Sequence, residues 1–416
     1  MRKPINNHSR RDFLKLAGSA TLVGALHHPV LGNSPWAVPQ RFLKNEDERE
    51  QYALDLLKRL CAEGPRPTGS PQYARGIGII KEEMERSLSS VRYEDYKFEQ
   101  WESISESEFF IGRQYIETRV FHGSPSTPLS GATGVLDKID NRYFLVDPST
   151  KEKKAMILIS GYGRAISGNF HRQKIAKDLN IPVFGVGKQD KPLVDRAIEK
   201  QISTNIKAQV RFNPDRRGIN AVGQIPGQTK DEILILAHAD TVYTSLGAID
   251  NTASVVGMLM LAHELTGSKP KHTITFLATD AEEYTYLGAK NYVERRMADG
   301  SIKNIKTIIN FDSLVWGPNL WFYTLNSELH DIARDVHNDL KMETTPVFES
   351  KDAFILDVTA FKGIDARAVL VDGRGYNDKT LPLYHRMDDE ARHVPLDCME
   401  SSFQVLREYI KRIDTL

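Results

Sequence analysis

Residues 233–243 read Ile-Leu-Ile-Leu-Ala-His-Ala-Asp-Thr-Val-Tyr. Five apolar residues run straight into a polar turn. A short apolar run bounded in this way reads as a buried strand, most naturally one in a parallel sheet covered on both faces. Such a strand demands helices above and below it and neighbours of its own kind, so it constrains the fold more than any other stretch. His238 and Asp240, two residues apart, project the same way at its carboxyl end. Open α/β sheets hold their chemistry at that edge. Taken alone, His-x-Asp is a polar loop as readily as a site.

Matching strands follow. Residues 272–279 end in Asp280-Ala281-Glu282-Glu283, residues 305–311 end in Asp312, and residues 366–372 lead into a Gly- and Asp-rich loop reaching Tyr384-His385. Helical periodicity appears over about 46–63, 72–87, 253–265 and 397–413. Strands alternate with helices, which predicts an α/β fold: a mostly parallel, doubly wound sheet with helices on both faces. Between them, residues 105–212 carry short strand-like pieces and one amphipathic helix near 171–179, and read as an inserted β-rich domain without chemistry of its own. His122 and His171 stand alone there and read as surface or packing residues. The expected division is a signal over 1–36, a catalytic domain over 37–104 and 213–416, and the insert over 105–212.

The chain has 416 residues and a formal net charge of zero, which gives no support to a nucleic-acid or polyanion binder. Its two cysteines, Cys61 and Cys398, exclude a cysteine-rich metal or disulfide framework and leave either one disulfide or two buried thiols. Ser9-Arg10-Arg11-Asp12-Phe13-Leu14-Lys15, followed by a small-residue apolar run, is similar to a twin-arginine export signal. That run is broken by Gly18, Gly24 and His27-His28, so no stable membrane span is expected. The signal implies the twin-arginine export machinery as a partner and a periplasmic or secreted place.

The strand and loop ends offer His238, Asp250, Glu282, Glu283, Asp312 and His385. Imidazoles mixed with carboxylates suit zinc or another borderline divalent ion. Five ligands suit two ions sharing one carboxylate, about 3.5–4 Å apart. In an adjacent pair such as Glu282-Glu283, one acid binding metal leaves the other free to act as a general base. Each residue also has a plainer reading: Asp250 as a helix cap, and the glutamates as acids favoured at a helix start.

Gly64-Pro65-Arg66-Pro67-Thr68-Gly69-Ser70-Pro71, residues 220–227 within a short strand expected over 218–227, His238-Ala239-Asp240, Gly247-Ala248-Ile249-Asp250-Asn251, Ala281-Glu282-Glu283, Asn310-Phe311-Asp312 and Tyr384-His385 occur in one order. In that order the chain resembles the dinuclear zinc exopeptidases of the bacterial leucyl aminopeptidase and aminopeptidase Y type, relatives of glutamate carboxypeptidase, the transferrin receptor and glutaminyl cyclase. The resemblance implies peptide substrates and two zinc ions, with cobalt or manganese as possible substitutes. It implies Asp250 as the bridging ligand, His238 and Asp312 on one ion, Glu283 and His385 on the other. It further implies Glu282 as general base, Asp240 orienting His238, Tyr384 stabilising the oxyanion, and a protease-associated domain as the insert. The chain departs from the family where Asp-Asn-x-Ser-Gly becomes Asp250-Asn251-Thr252-Ala253-Ser254, and where Ser-Asp-His is read as Ser350-Lys351-Asp352. A one-zinc cyclase, a receptor-like binding protein and a zinc carboxypeptidase, which needs a cationic pocket for the substrate carboxylate with Arg374 as a candidate, are the rival expectations.

Overall fold

A computed structural model describes residues 43–353 and 355–416; the expected export signal lies outside them. The main sheet has eight strands: β1 (Ser89–Ser103), β2 (Val210–Ile225), β3 (Glu232–His238), β4 (Thr273–Thr279), β5 (Ile305–Phe311), β6 (Asn319–Tyr323), β7 (Val347–Glu349) and β8 (Arg367–Arg374). Their spatial order is β1-β2-β4-β3-β5-β8-β6-β7. The central four, β4, β3, β5 and β8, are parallel. Antiparallel pairing enters at β2 and β6. The sheet is therefore mixed, with the expected parallel core.

Every residue of β3 is buried. Ile233, Ile235 and Ala237 face one apolar cluster with helices α1 (Glu46–Ala62), α2 (Pro71–Ser87), α3 (Ala253–Leu265) and α6 (Leu396–Ile413). Leu234 and Leu236 face another, with α4 (Leu287–Ala298) and Phe361; α5 (Ser327–Leu340) packs with α6. Alternation along a pleated strand sends neighbours to opposite faces, so an unbroken apolar run requires cover on both. Each such side chain contributes about 1.5–3 kcal/mol on burial. The helices start where their caps allow. The Asn45 side chain accepts from Glu48 N, and Ser70, ahead of Pro71, accepts from Tyr73 N. Cys61 and Cys398 are buried free thiols.

The breaker run at 64–71 is more than a connection. Arg66 is only 2% exposed. Its guanidinium donates to Leu60 O at 3.0 Å, Leu246 O at 3.2 Å and Thr252 Oγ1 at 2.6 Å, and its backbone N–H donates to Thr241 Oγ1. One side chain thus ties the end of α1 to the loops after β3. Arg66→Ala is expected to lower unfolding stability by about 3 kcal/mol or more, because it strands buried acceptors; a denaturant midpoint within error of the parent would refute this.

A second eight-stranded sheet is built from residues between Glu108 and Lys207. It joins the first through β1 and β2, which pair antiparallel over most of their length. Here the sequence expectation needs correction. The strand expected over 218–227 begins at Val210 and is continuous to Ile225, so the 212/213 boundary falls inside it. The single helix near 171–179 is a 3-10 turn, Phe170–Arg172, then a helix at Lys174–Leu179. A further helix, Lys191–Glu199, was not anticipated.

Candidate metal site and its surroundings

β3, β4 and β5 run parallel and in register, with His238 opposite Thr279 and Leu236 opposite Asn310. The residues just past their ends therefore meet at one edge. Asp250 reaches the same place on the turn before α3, and His385 on the loop after β8. His238 Nε2 lies 3.4 Å from Asp250 Oδ1 and 3.5 Å from Asp312 Oδ2. His385 Nε2 lies 3.3 Å from Asp250 Oδ2 and 3.1 Å from Glu283 Oε1. Among the described residues, two groups could hold a metal ion, His238-Asp250-Asp312 and Asp250-Glu283-His385. They share Asp250, whose two oxygens face opposite ways.

The turns that carry these groups are tied to one another. Asp389 accepts from the N–H groups of Ile249, at 2.8 Å, and Asp250, at 3.2 Å. Asn251 donates to Phe311 O and accepts from Ser313 N, which joins the Asp250 turn to the Asp312 turn. Among the described residues no side chain caps the turn or α3, so the cap reading of Asp250 has no support. Gly247 has φ +63°, and a Cβ there would lie 2.3 Å from Thr241 Cγ2 and 2.6 Å from Asp250 O; only glycine fits. Ala281, Ser313 and His385 also have positive φ without being glycine. Each carries a cost of roughly 1 kcal/mol or more that the surrounding structure must offset.

Both imidazoles are oriented from behind. His385 Nδ1 donates to Ser167 O at 2.8 Å, and His238 Nδ1 donates to Asp240 O at 3.1 Å. A carbonyl only accepts, so Nδ1 carries the proton and Nε2 faces the carboxylates. For Asp240 the route differs from the expectation. Its carboxylate is 3.6 Å from His238 Nδ1, farther than its own carbonyl. It accepts instead from the N–H groups of Glu282, at 3.1 Å, and Glu283, at 3.2 Å, and so fixes the acidic pair.

Electrostatics distinguish the acids. Burial alone would lower the pKa of His238, but Asp240, Asp250 and Asp312 outweigh it and hold that group well above its ordinary value. His385 behaves likewise, with Glu283 and Asp250 outweighing burial. Glu282 is pushed well above the usual carboxylate range, first by burial and then by Glu283, Asp312 and Asp357. Burial also raises the Tyr384 phenol, with Asp250 and Glu283 adding to the effect. His385 Nε2 and Glu282 Oε1 are buried without a hydrogen bond. Lone pairs and carboxylates converging this closely, with two polar atoms left unsatisfied, fit a cation.

Several residues at the site were not anticipated. The expectation that the insert carries no chemistry is wrong at one segment. Ser167 holds His385, Asn169 Nδ2 donates to Glu283 O at 3.3 Å, and Arg172 Nη2 lies 3.6 Å from Glu282 Oε1. Arg386, beside His385, donates to Ala165 O at 2.8 Å. His122 and His171, read from the sequence as surface or packing residues, do pack, both on Tyr284, with centroids 4.4 and 5.2 Å away. Asp352 lines a cavity of about 690 Å³ with Asp231 and His272, at the amino ends of the strands. Near the site stands Asp357 instead, 1% exposed and accepting from Thr279 Oγ1, with burial raising it to about 7. Tyr384 stacks on His385 at 3.7 Å and packs against Trp316 and Tyr162. Arg374, a sequence candidate for binding a substrate carboxylate, is engaged by Asp372 at 2.6 Å and stacks on Trp316.

Residues 220–410 match the family model of Peptidase family M28. The chain is 34% identical to the alkaline phosphatase isozyme conversion protein of Escherichia coli strain K12 over 25% of this chain and 34% of that one. It is 23% identical to the probable lipoprotein aminopeptidase LpqL of Mycobacterium tuberculosis, over 70% of this chain and 67% of that one. It thus spans about a third of the first relative and two thirds of the second. Its fold matches a zinc aminopeptidase from Bacillus subtilis with a TM-score of 0.66 at 18% identity, covering 88% of this chain and 94% of that one. The family match covers residues 220–410, less than half of the chain, and the likeness to the solved structure is one of fold.

Proposed function

We propose that the protein is an exported aminopeptidase that removes N-terminal residues from peptides with two zinc ions. The observation that carries this reading is the pair of donor groups sharing Asp250. His238, Asp250 and Asp312 would hold one ion, and Asp250, Glu283 and His385 the other. Zinc bound there supplies Lewis acidity and brings the ionisation of a water close to neutral pH. The named relatives that are aminopeptidases support the peptide-end specificity. The complete second donor group speaks against a one-zinc cyclase. Arg374, the sequence candidate for a carboxypeptidase pocket, is paired with Asp372, which speaks against that reading.

Glu282 is the general base. It takes a proton from the attacking water and returns it to the leaving amine. A carboxyl group whose pKa is raised by burial suits both halves of that exchange. Asp240 fixes the backbone from which Glu282 projects. Tyr384, kept protonated, is a donor for the developing oxyanion beside His385. Residues 1–36 are assigned to twin-arginine export, 37–104 and 213–416 to the catalytic domain, and 105–212 to a protease-associated-like insert.

Free and N-acetylated aminoacyl anilides test the reading directly. The zinc-loaded protein is expected to release the anilide only from substrates with a free amine. Cleavage confined to the blocked set, or cyclisation of N-terminal glutamine with one zinc per chain, would overturn it.

A further inference from the structure

Two adjacent side chains of the loop after β8 reach into the inserted segment. His385 Nδ1 donates to Ser167 O at 2.8 Å. The next residue, Arg386, is 7% exposed. Its Nη1 donates to Ala165 O at 2.8 Å and to Glu117 Oε1 at 3.2 Å, and its Nε lies 3.5 Å from Asp388 Oδ2. A guanidinium sealed from water is costly unless such groups compensate it, so these partners fix its place between two stretches of the insert. The backbone that carries both side chains turns through His385 at φ +56°. A histidine holds that conformation only where its surroundings impose it. From the catalytic side, Thr244 Oγ1 donates to His385 O at 3.0 Å.

The two donor groups differ in what holds them. His238 and Asp312 follow directly on β3 and β5, which pair in register, and His238 Nδ1 donates to a carbonyl of its own turn. The other group leans on the insert at two of its members. Asn169 Nδ2 donates to Glu283 O at 3.3 Å, and the His385 turn is held at Ser167, Ala165 and Glu117. We propose that Arg386 is a positioning residue for the group Asp250-Glu283-His385. Its contacts with Ala165 and Glu117 press the His385 turn against the insert and aim the imidazole. An ion in this group then depends on the insert, whereas an ion in His238-Asp250-Asp312 does not. This rests on the two-ion reading and assigns the insert a part in building the second site.

The test titrates zinc into the metal-free full chain, in the parent, R386Q, R386K and R119Q, with calorimetry and elemental analysis. The parent is expected to take up two ions. R386Q should keep the affinity of one and bind the other about tenfold or more weakly, the loss that follows when the support behind a ligand is removed. R386K keeps the charge but not the planar fork and should fall between them. Arg119 meets the same Glu117 carboxylate, at 3.4 Å, from within the insert, so R119Q should match the parent. Glu117 keeps Arg119 and Arg164, each at 3.4 Å, when Arg386 is replaced, and the thermal midpoint of the metal-free chain shows that each variant is folded. Parental affinity for both ions in R386Q overturns the inference and leaves the two-ion reading standing; if R386Q does not fold, the same result in R386K overturns it. Equal weakening of both ions overturns it in favour of a general loss of packing, and an R119Q as weak as R386Q overturns it in favour of the charge of the cluster. A parent that takes up one ion only sinks the two-ion reading, and the inference with it.

Discussion

Glu282→Gln is expected to lower kcat by about 10²–10⁴-fold while leaving two metal ions bound. Glutamine keeps the size and most of the packing of glutamate but cannot accept a proton at neutral pH. No neighbouring acid is free to replace it. Glu283 faces His385 Nε2 at 3.1 Å, and Asp240 is occupied by two backbone N–H groups. Asp357 is buried and accepts from the Thr279 hydroxyl. The change should appear in kcat with little effect on KM, because Glu282 acts on the proton and not on the peptide. Steady-state kinetics with elemental analysis of the same samples decide the matter. A variant retaining more than about a third of parental kcat would remove Glu282 from the role given to it.

Asp250→Ala should have the larger effect on metal binding. Each of the two donor groups loses a carboxylate in one substitution, because Asp250 supplies an oxygen to both. Activity is expected to fall about 10³-fold or more, the equivalent of several kcal/mol of lost transition-state stabilisation. Thermal stability gives an independent measure. An ion present at a hundred times its Kd stabilises the folded chain by about 2.7 kcal/mol. The parent midpoint should therefore rise on adding zinc, whereas that of the variant should stay nearly level. A variant that still holds two ions per chain by elemental analysis would show that Asp250 does not bridge.

What the sequence disclosed, and what it hid, follows from the reach of local patterns. The apolar run at 233–237 and the apolar-rich stretches at 274–278 and 305–309 point to buried strands, and the acids and histidines at their ends lie close to them in sequence. His238, Glu282, Glu283 and Asp312 are legible for that reason. His385 is less legible, since it stands far along a loop without a period, and the family motif adds most of its weight. Arg172, Asp357 and Asp389 could not be found this way. Each lies on a turn or loop whose place depends on packing far along the chain, and each is an unremarkable polar residue in its local context. The continuity of β2 across 212/213 was hidden for a related reason. Residues 210–217 are rich in charge and include Pro214, which reads as a turn, yet the long pairing with β1 holds them extended.

The contact of Ser167 with His385 has a temporal meaning. His385 is the last of the proposed ligands to be synthesised, and the carbonyl that orients it comes from more than two hundred residues earlier. The second sheet has to be in place, and the chain made almost to its C-terminal helix, before that imidazole finds its setting. On the reading proposed here, a growing or truncated chain is catalytically silent. Hydrolytic capacity then depends on completed folding.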